Sequence, residues 1–131
     1  MKGIKAKRPI QIVLAGALVL LLHACAIYPR SGAPALVGTW TNLLGTVWTI
    51  NRTGTFNVDL NSDGKRDAWG NYTVAGDTIT IIDTGGTVPK GCKGDGVYHF
   101  SRTGADSLHF MLVKDRCKLR VKNATLTWHR K

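Results

Sequence analysis

Residues 97–112, which read VYHFSRTGADSLHFML, show the strand pattern of this chain most clearly. Apolar side chains alternate with polar ones on both sides of a Gly-containing centre, which is typical of a β-hairpin with one buried face. Pairing Tyr98 with Phe110 and Phe100 with Leu108 sets apolar residues opposite each other. We therefore predict this register for the hairpin, because a one-residue slip would turn the apolar set to solvent.

The predicted register has two further consequences. It places a three-residue turn at residues 103–105, and it sets His99 directly opposite His109 on the polar face. Two histidines on neighbouring strands can ligate a transition metal. The sequence offers no third ligand nearby, so we expect ordinary polar surface residues at these two positions.

Similar short strand patterns recur from Ala35 onward, and Gly or Asp marks most of the junctions. The predicted strands span roughly residues 36–42, 46–51, 55–60, 68–75, 78–83, 97–102, 107–114 and 119–130. Short sequential strands of this number predict an all-β fold, a small eight-stranded antiparallel up-and-down barrel. A small sandwich is the alternative. A barrel of this size is either filled by its own side chains or holds one small ligand.

The first 25 residues have the composition of a bacterial export signal. Four basic residues precede an apolar run at residues 12–22, which is too short for a membrane-spanning helix of roughly 20 residues. Residues 22–25 read LHAC and resemble the lipobox of bacterial lipoproteins, which implies a lipid on Cys25. His23 departs from that motif, so ordinary cleavage without lipidation stays open.

These features divide the chain into three segments. We expect a signal peptide at residues 1–25, a short tether at 26–34 and the barrel at 35–131. The mature protein would then be a lipoprotein anchored in a bacterial membrane, facing the periplasm or the cell surface. Removing the signal peptide lowers the formal net charge from +10 to about +6, because it removes four basic residues and no acidic ones. The remaining basic residues are scattered, so we expect no nucleic-acid partner.

Cys92 and Cys117 are the cysteines that remain once Cys25 carries a lipid. An even pair in an exported protein predicts a disulfide, with two free thiols as the alternative. Closing a loop of this length stabilises the fold by about 3–4 kcal/mol in the chain-entropy model.

Residues 59–67, DLNSDGKRD, resemble the calcium loops of integrin-type propeller repeats. The resemblance implies calcium ligation by four oxygen-bearing side chains: Asp59, Asn61, Asp63 and Asp67. An EF-hand would also need a bidentate Glu at its twelfth position, which is Gly70 here. The alternative is a polar hairpin turn that binds no metal.

Two motifs resemble those of lipocalins. Gly38-Thr39-Trp40 matches the G-x-W sequence that opens their first strand, and the spacing D-x-C-x-x-R…L-x-W over residues 115–128 resembles small bacterial lipocalin-like proteins. The resemblance implies that Trp40 plugs the barrel floor and that Arg120 or Arg130 packs across it.

Residues 38–46, GTWTNLLGT, are also similar to the first strand and turn of avidins. Two positions of that motif contact biotin in avidins, and they correspond to Asn42 and Thr46. The resemblance therefore implies ligand contacts for these two residues. The later Trp-containing strands of the avidin pocket are not found in this chain.

The sequence contains no combination of nucleophile, base and orienting group, so we expect no enzymatic activity. We expect the barrel mouth to bind a small apolar or amphipathic ligand. The aromatic residues that would line or plug it are Trp40, Trp48, Phe56, Tyr98 and Phe110. The alternative is an interaction module with a filled barrel that contacts an envelope component or a protein. The sequence does not indicate an oligomeric state.

Overall fold

The computed structural model describes Gly3 and residues 32–131. The predicted signal peptide, Cys25 and most of the tether lie outside these residues. The elements in chain order are α1 Ala33–Leu36, β1 Gly38–Thr41, β2 Val47–Ile50, β3 Thr55–Asp59, β4 Ala68–Ala75, β5 Thr78–Gly86, β6 Gly96–Thr103, β7 Ser107–Lys114, α2 Lys118–Ala124 and β8 Trp128–Arg130. Neither helix of this described part is long and apolar enough to cross a membrane.

Each strand pairs antiparallel with the next one in sequence, and β8 pairs with β1 to close the barrel. The predicted eight-stranded up-and-down barrel is confirmed. The side chains that point into the barrel follow from the alternation of side-chain direction along each strand. Along β4, for example, Ala68, Gly70 and Tyr72 are buried while Asn71 and Thr73 are exposed.

The predicted register of the β6–β7 hairpin is wrong by two residues. Phe100 lies opposite Phe110, and Tyr98 lies opposite Leu112, so the turn comprises residues 104–106. Both registers bury the same face, because side-chain orientation repeats every two residues. The shift also separates the two histidines: His99 lies opposite Met111, and His109 opposite Ser101.

The predicted last strand, residues 119–130, is wrong over most of its length. Residues 118–124 form α2, and only Trp128–Arg130 form a strand. The Cys117 sulfur caps this helix by accepting a hydrogen bond from the Arg120 backbone N–H at 3.3 Å. Because β8 is so short, α2 takes the place of a strand wall at one end of the barrel.

The barrel has two different ends. We call floor the end that carries α1 and the turns at residues 51–54, 76–77 and 104–106. We call mouth the end that carries the loops 42–46, 60–67 and 87–95 together with α2 and its flanks. Both Gly32, which precedes α1, and Lys131, whose N–H bonds to the Thr39 carbonyl at 3.0 Å, lie at the floor.

The floor is sealed around Trp40, whose side chain is fully buried. Its indole N–H donates to the Leu36 carbonyl at 2.8 Å. The guanidinium carbons of Arg130 and Arg102 lie 4.1 and 4.8 Å from the centre of its rings. Arg130 therefore packs across Trp40, whereas Arg120 lies at the mouth. A Cβ at Gly38 would come within 1.8 Å of the Arg130 guanidinium, so this packing requires a glycine there.

Candidate functional site

A cavity of about 450 Å³ opens at the mouth of the barrel. This volume lies within the range of small-molecule sites, which runs from about 300 to 1,000 Å³. Most of its lining is apolar. The lining residues are Leu44, Thr46, Trp48, Phe56, Val58, Leu60, Ala68, Ile81, Asp83, Thr87, Pro89, Cys117, Leu119, Arg120, Lys122, Asn123, Ala124 and Trp128.

Aromatic rings form the inner end of the cavity. Trp48 packs against Phe56, Phe110 and Trp128 with ring centroids 5.9, 5.2 and 5.3 Å apart. Such edge-on and tilted contacts are favoured by the charge distribution of the rings. Beyond this layer the barrel interior is filled down to Trp40 by buried side chains such as Ile79 and Leu108. Among the described residues, the hollow part is therefore a cup at the mouth of the barrel.

The indole N–H of Trp48 is buried and has no hydrogen-bond partner among the residues that the structure describes. Only 4% of the Trp48 surface is exposed. The other two core indoles are satisfied: that of Trp40 as described above, and that of Trp128 by the Ala124 carbonyl at 2.9 Å. An unsatisfied buried donor costs about 1–3 kcal/mol.

A polar network stands on one side of the cup. Asn42 donates to the Asn123 side-chain oxygen, and Asn123 donates to Thr46 Oγ1 at 3.0 Å. The Asn42 oxygen accepts the backbone N–H groups of Leu44 and Thr46 at 3.0 and 3.3 Å. These bonds fix the β1–β2 loop against α2, and they occupy both polar groups of the Asn42 amide.

The cup lining also carries a nearly buried ionic network centred on Arg120. Its Nε and Nη2 bind the two oxygens of Asp115 at 2.6 and 2.8 Å, and its Nη1 binds Asp83 at 2.7 Å. The carbonyls of Gly94 and Cys92 accept from Nη2 and Nη1 at 2.8 and 3.4 Å. All five N–H groups of the guanidinium are thus engaged, which a buried arginine requires.

The groups of this network shift one another's pKa values. Burial raises the pKa of Asp115, but the Arg120 hydrogen bonds, the Tyr98 hydroxyl and the Cys117 N–H outweigh it and hold that pKa below its ordinary value. Burial lowers the pKa of Arg120, but Asp115 and Asp83 outweigh it and keep that pKa raised. Burial and the neighbouring Asp115 carboxylate both raise the pKa of Tyr98. Asp115 therefore stays a carboxylate, Arg120 a guanidinium and Tyr98 a neutral phenol at neutral pH.

The predicted disulfide is confirmed: Cys92 and Cys117 are bonded, and their Cα atoms lie 4.5 Å apart. The bond joins the β5–β6 loop to the residue that caps α2. Since Pro89, Cys117 and α2 itself line the cavity, the disulfide holds two parts of the mouth together.

Leucine side chains surround the entrance. Leu44, Leu60 and Leu119 line the cavity, yet 51%, 43% and 61% of their surfaces are exposed. They come from the β1–β2 loop, the β3–β4 loop and α2. Isolated exposed leucines are ordinary on protein surfaces, but a set around a cavity entrance is typical of a binding site.

The structure separates the predicted ligand-binding residues into two groups. Thr46, Trp48 and Phe56 line the cavity. Four others lie outside the lining: Trp40 at the floor, Asn42 in the β1–β2 loop, and Tyr98 and Phe110 in the filled core. The lining also includes Trp128 and residues of α2, none of which was predicted from the sequence as a ligand contact. The alternation of Leu126 and Trp128 was a signal that Trp128 points inward. No such signal marked α2, and its residues were predicted to belong to a strand.

Residues 59–67 form a tight polar loop. Asp59 accepts backbone N–H groups from Asn61, Asp63 and Gly64 at 3.3, 3.2 and 2.8 Å, and Asp67 accepts the Leu60 N–H at 2.7 Å. Desolvation raises the pKa of Asp59, but these N–H groups outweigh it and leave that pKa below its ordinary value. No group of three or more His, Cys, Asp or Glu side chains within residues 32–131 is placed to hold a metal ion. Calcium binding by this loop stays a prediction from its spacing.

Comparison with known proteins found no relative of this chain. No family model, no curated protein and no solved structure matches this chain. The likenesses to lipocalins and avidins therefore rest on short sequence motifs alone.

Proposed function

We propose that the barrel mouth binds one small apolar or amphipathic ligand and that the protein carries out no chemical step on it. The observation that carries this proposal is the mostly apolar cup of about 450 Å³, whose lining includes the aromatic rings of Trp48, Phe56 and Trp128. An apolar site with a few placed polar groups is the usual form of a small-molecule site. A filled barrel, which the alternative interaction module requires, would leave no such space.

The arrangement of the cup supports an amphipathic ligand in particular. Aromatic and aliphatic side chains lie at depth, whereas Asp83, Arg120 and Lys122 lie in the same lining. One apolar group would thus be removed from water at the Trp48 end, and a polar group would remain near charged side chains. Each buried methylene contributes about 0.8 kcal/mol.

We also propose that the protein acts in the bacterial envelope, exported by residues 1–25 and anchored through a lipid on Cys25. The support is the apolar run and the lipobox-like LHAC sequence. Labelled palmitate should be incorporated by the natural chain and not by Cys25→Ala. Label retained on the variant would place the lipid elsewhere.

Ligand binding is tested by filling the cup. Ala124 and Ala68 both line it and are buried, so we expect Ala124→Phe and Ala68→Leu to remove binding of dodecanol, followed by tryptophan fluorescence. Ala105→Phe, an exposed position in the floor turn, is the matched control and should bind as the natural chain does. Melting curves would show that each variant is folded. Unchanged binding by two folded, filled variants would refute the proposal.

Trp48→Phe keeps an aromatic ring at the inner end of the cup but removes part of the apolar surface that the ligand would contact. We expect dodecanol to bind more weakly to this variant, as followed by the fluorescence of Trp128. Native mass spectrometry of the full chain from its source cells would show whether a small molecule is retained.

A further inference from the structure

A second depression lies beside the cavity on the outer side of the mouth. Its volume is about 560 Å³. We call it the basic cleft and define it by four exposed basic residues in its lining: Lys90, Lys93, Lys114 and Arg116. These residues come from the β5–β6 loop, the end of β7 and the segment before α2.

The positive charges of the basic cleft are not neutralised within the described part of the chain. None of the four has a carboxylate within ion-pair distance there. Asp115, which also lines the cleft, is bound to Arg120 on both of its oxygens. Asp95 is the one other acid in the lining. The cleft therefore carries a clear excess of positive charge, which attracts anions.

The basic cleft and the apolar cup share one wall. Arg120 lines both of them. Lys90 of the cleft follows Pro89 of the cup in sequence, and Arg116 of the cleft precedes Cys117 of the cup. The Cys92–Cys117 disulfide ties these two segments together. One molecule could thus place its two ends in the two depressions.

We propose that the ligand is an anionic amphiphile with one apolar chain, which lies in the cup, and a phosphate or carboxylate head group, which lies in the basic cleft. This inference rests on the proposed function of the cup. Arg120 is not the anion partner, because its five N–H groups are already engaged; the lysines and Arg116 supply the free charges. The cup volume suits one ligand of modest size.

The experiment compares dodecyl phosphate, dodecanoate, dodecanol and dodecylammonium on the oxidised full chain, below their micellar concentrations. Tryptophan fluorescence reports binding because Trp48 and Trp128 line the cup. Inorganic phosphate alone is the fifth probe. The test variant is Lys90→Glu/Lys93→Glu. The matched control, Arg52→Glu/Lys131→Glu, makes the same change of charge at exposed positions of the floor.

We expect the two anionic probes to bind about tenfold more tightly than dodecanol and dodecylammonium, and their affinity to fall as salt is added. The test variant should bind the anionic probes no more tightly than dodecanol, while still binding dodecanol. The control should keep the tenfold preference for the anionic probes. Preference for phosphate over carboxylate, or the reverse, would support the inference and identify the head group.

Equal binding of all four amphiphiles, unchanged in the test variant, would overturn this inference and leave the proposed function standing. Binding of inorganic phosphate as tight as that of dodecyl phosphate would also overturn the inference, because the dodecyl group would then contribute nothing to the affinity. Failure of every amphiphile to bind would refute the proposed function itself.

Discussion

Arg120 binds both carboxylate oxygens of Asp115, with its Nε 2.6 Å from Oδ2 and its Nη2 2.8 Å from Oδ1. The same carboxylate accepts the Tyr98 hydroxyl from β6. Gly96 makes room for this contact, because a Cβ there would lie 2.4 Å from Asp115 Oδ2. The ion pair therefore fastens α2 to the barrel wall beside the cup.

Arg120→Met should lower the free energy of unfolding by about 3–5 kcal/mol, because it leaves two nearly buried carboxylates without their cation. Lys118→Met on the same helix is the control. Lys118 is exposed, so its effect should stay within about 0.5 kcal/mol. Urea unfolding measures both. Equal, small effects would show that the pair does not fasten α2.

Stability should fall in acid. The pKa of Asp115 is lowered in the folded state, so its contribution is present above the unfolded pKa and is lost as pH falls through the folded one. We expect the free energy of unfolding to decline below about pH 4. The free energy of unfolding of Asp115→Asn should be lower at neutral pH. It should also decline less steeply in acid, because the asparagine has no proton to gain. Parallel curves for the two proteins would assign the acid sensitivity to other carboxylates.

Gly38→Ala should destabilise the floor more than Gly76→Ala does. Gly76 has φ 60°, in the left-handed helical region, where an alanine costs about 1–2 kcal/mol. Gly38 has φ 141°, a conformation that is essentially restricted to glycine, so its backbone cost is at least as large. At Gly76 a Cβ would meet no atom within 4 Å, whereas at Gly38 it would displace Arg130 from its place over Trp40. Thermal unfolding should show a clearly lower midpoint for Gly38→Ala. Equal midpoints would mean that Arg130 can move without cost.

The double variant Cys92→Ser/Cys117→Ser should be about 3–4 kcal/mol less stable than the oxidised protein. Serine keeps a capping acceptor for α2 at position 117, so the loss reports the covalent bond. The natural chain in reductant should behave like the double variant, and intact mass before and after reduction verifies its state. Full stability in reductant would contradict this expectation.

The strands were largely predictable because each carries its own alternation and ends at a Gly or Asp. β4 and β7 have the predicted bounds, Ala68–Ala75 and Ser107–Lys114. The pairing of β6 with β7 was not predictable in the same way. A shift of two residues buries the same side chains, so alternation alone cannot choose between Leu108 and Phe110 as the partner of Phe100.

The site was predictable mainly where strands form it. Trp48 and Phe56 point inward by alternation and do line the cup. The wall made by α2 was missed because Lys118–Ala124 is short and lacks a conventional capping residue. That helix depends on the ion pair of Arg120 with Asp83, 37 residues away, and on the capping sulfur of Cys117, which is bonded to Cys92. The helix propensity of a short segment does not include such tertiary contacts, so it could not predict this helix.

The position of Gly32 and Lys131 at the floor sets the orientation of the proposed binding site. If a lipid on Cys25 anchors the protein, as proposed, the described part of the chain begins at Gly32 on the closed end, and the entrance would face away from that membrane. The ligand would then arrive from the aqueous compartment or from a facing bilayer instead of diffusing in from the anchoring leaflet. By the same geometry, a surface or fusion partner attached on the N-terminal side would leave the entrance unobstructed.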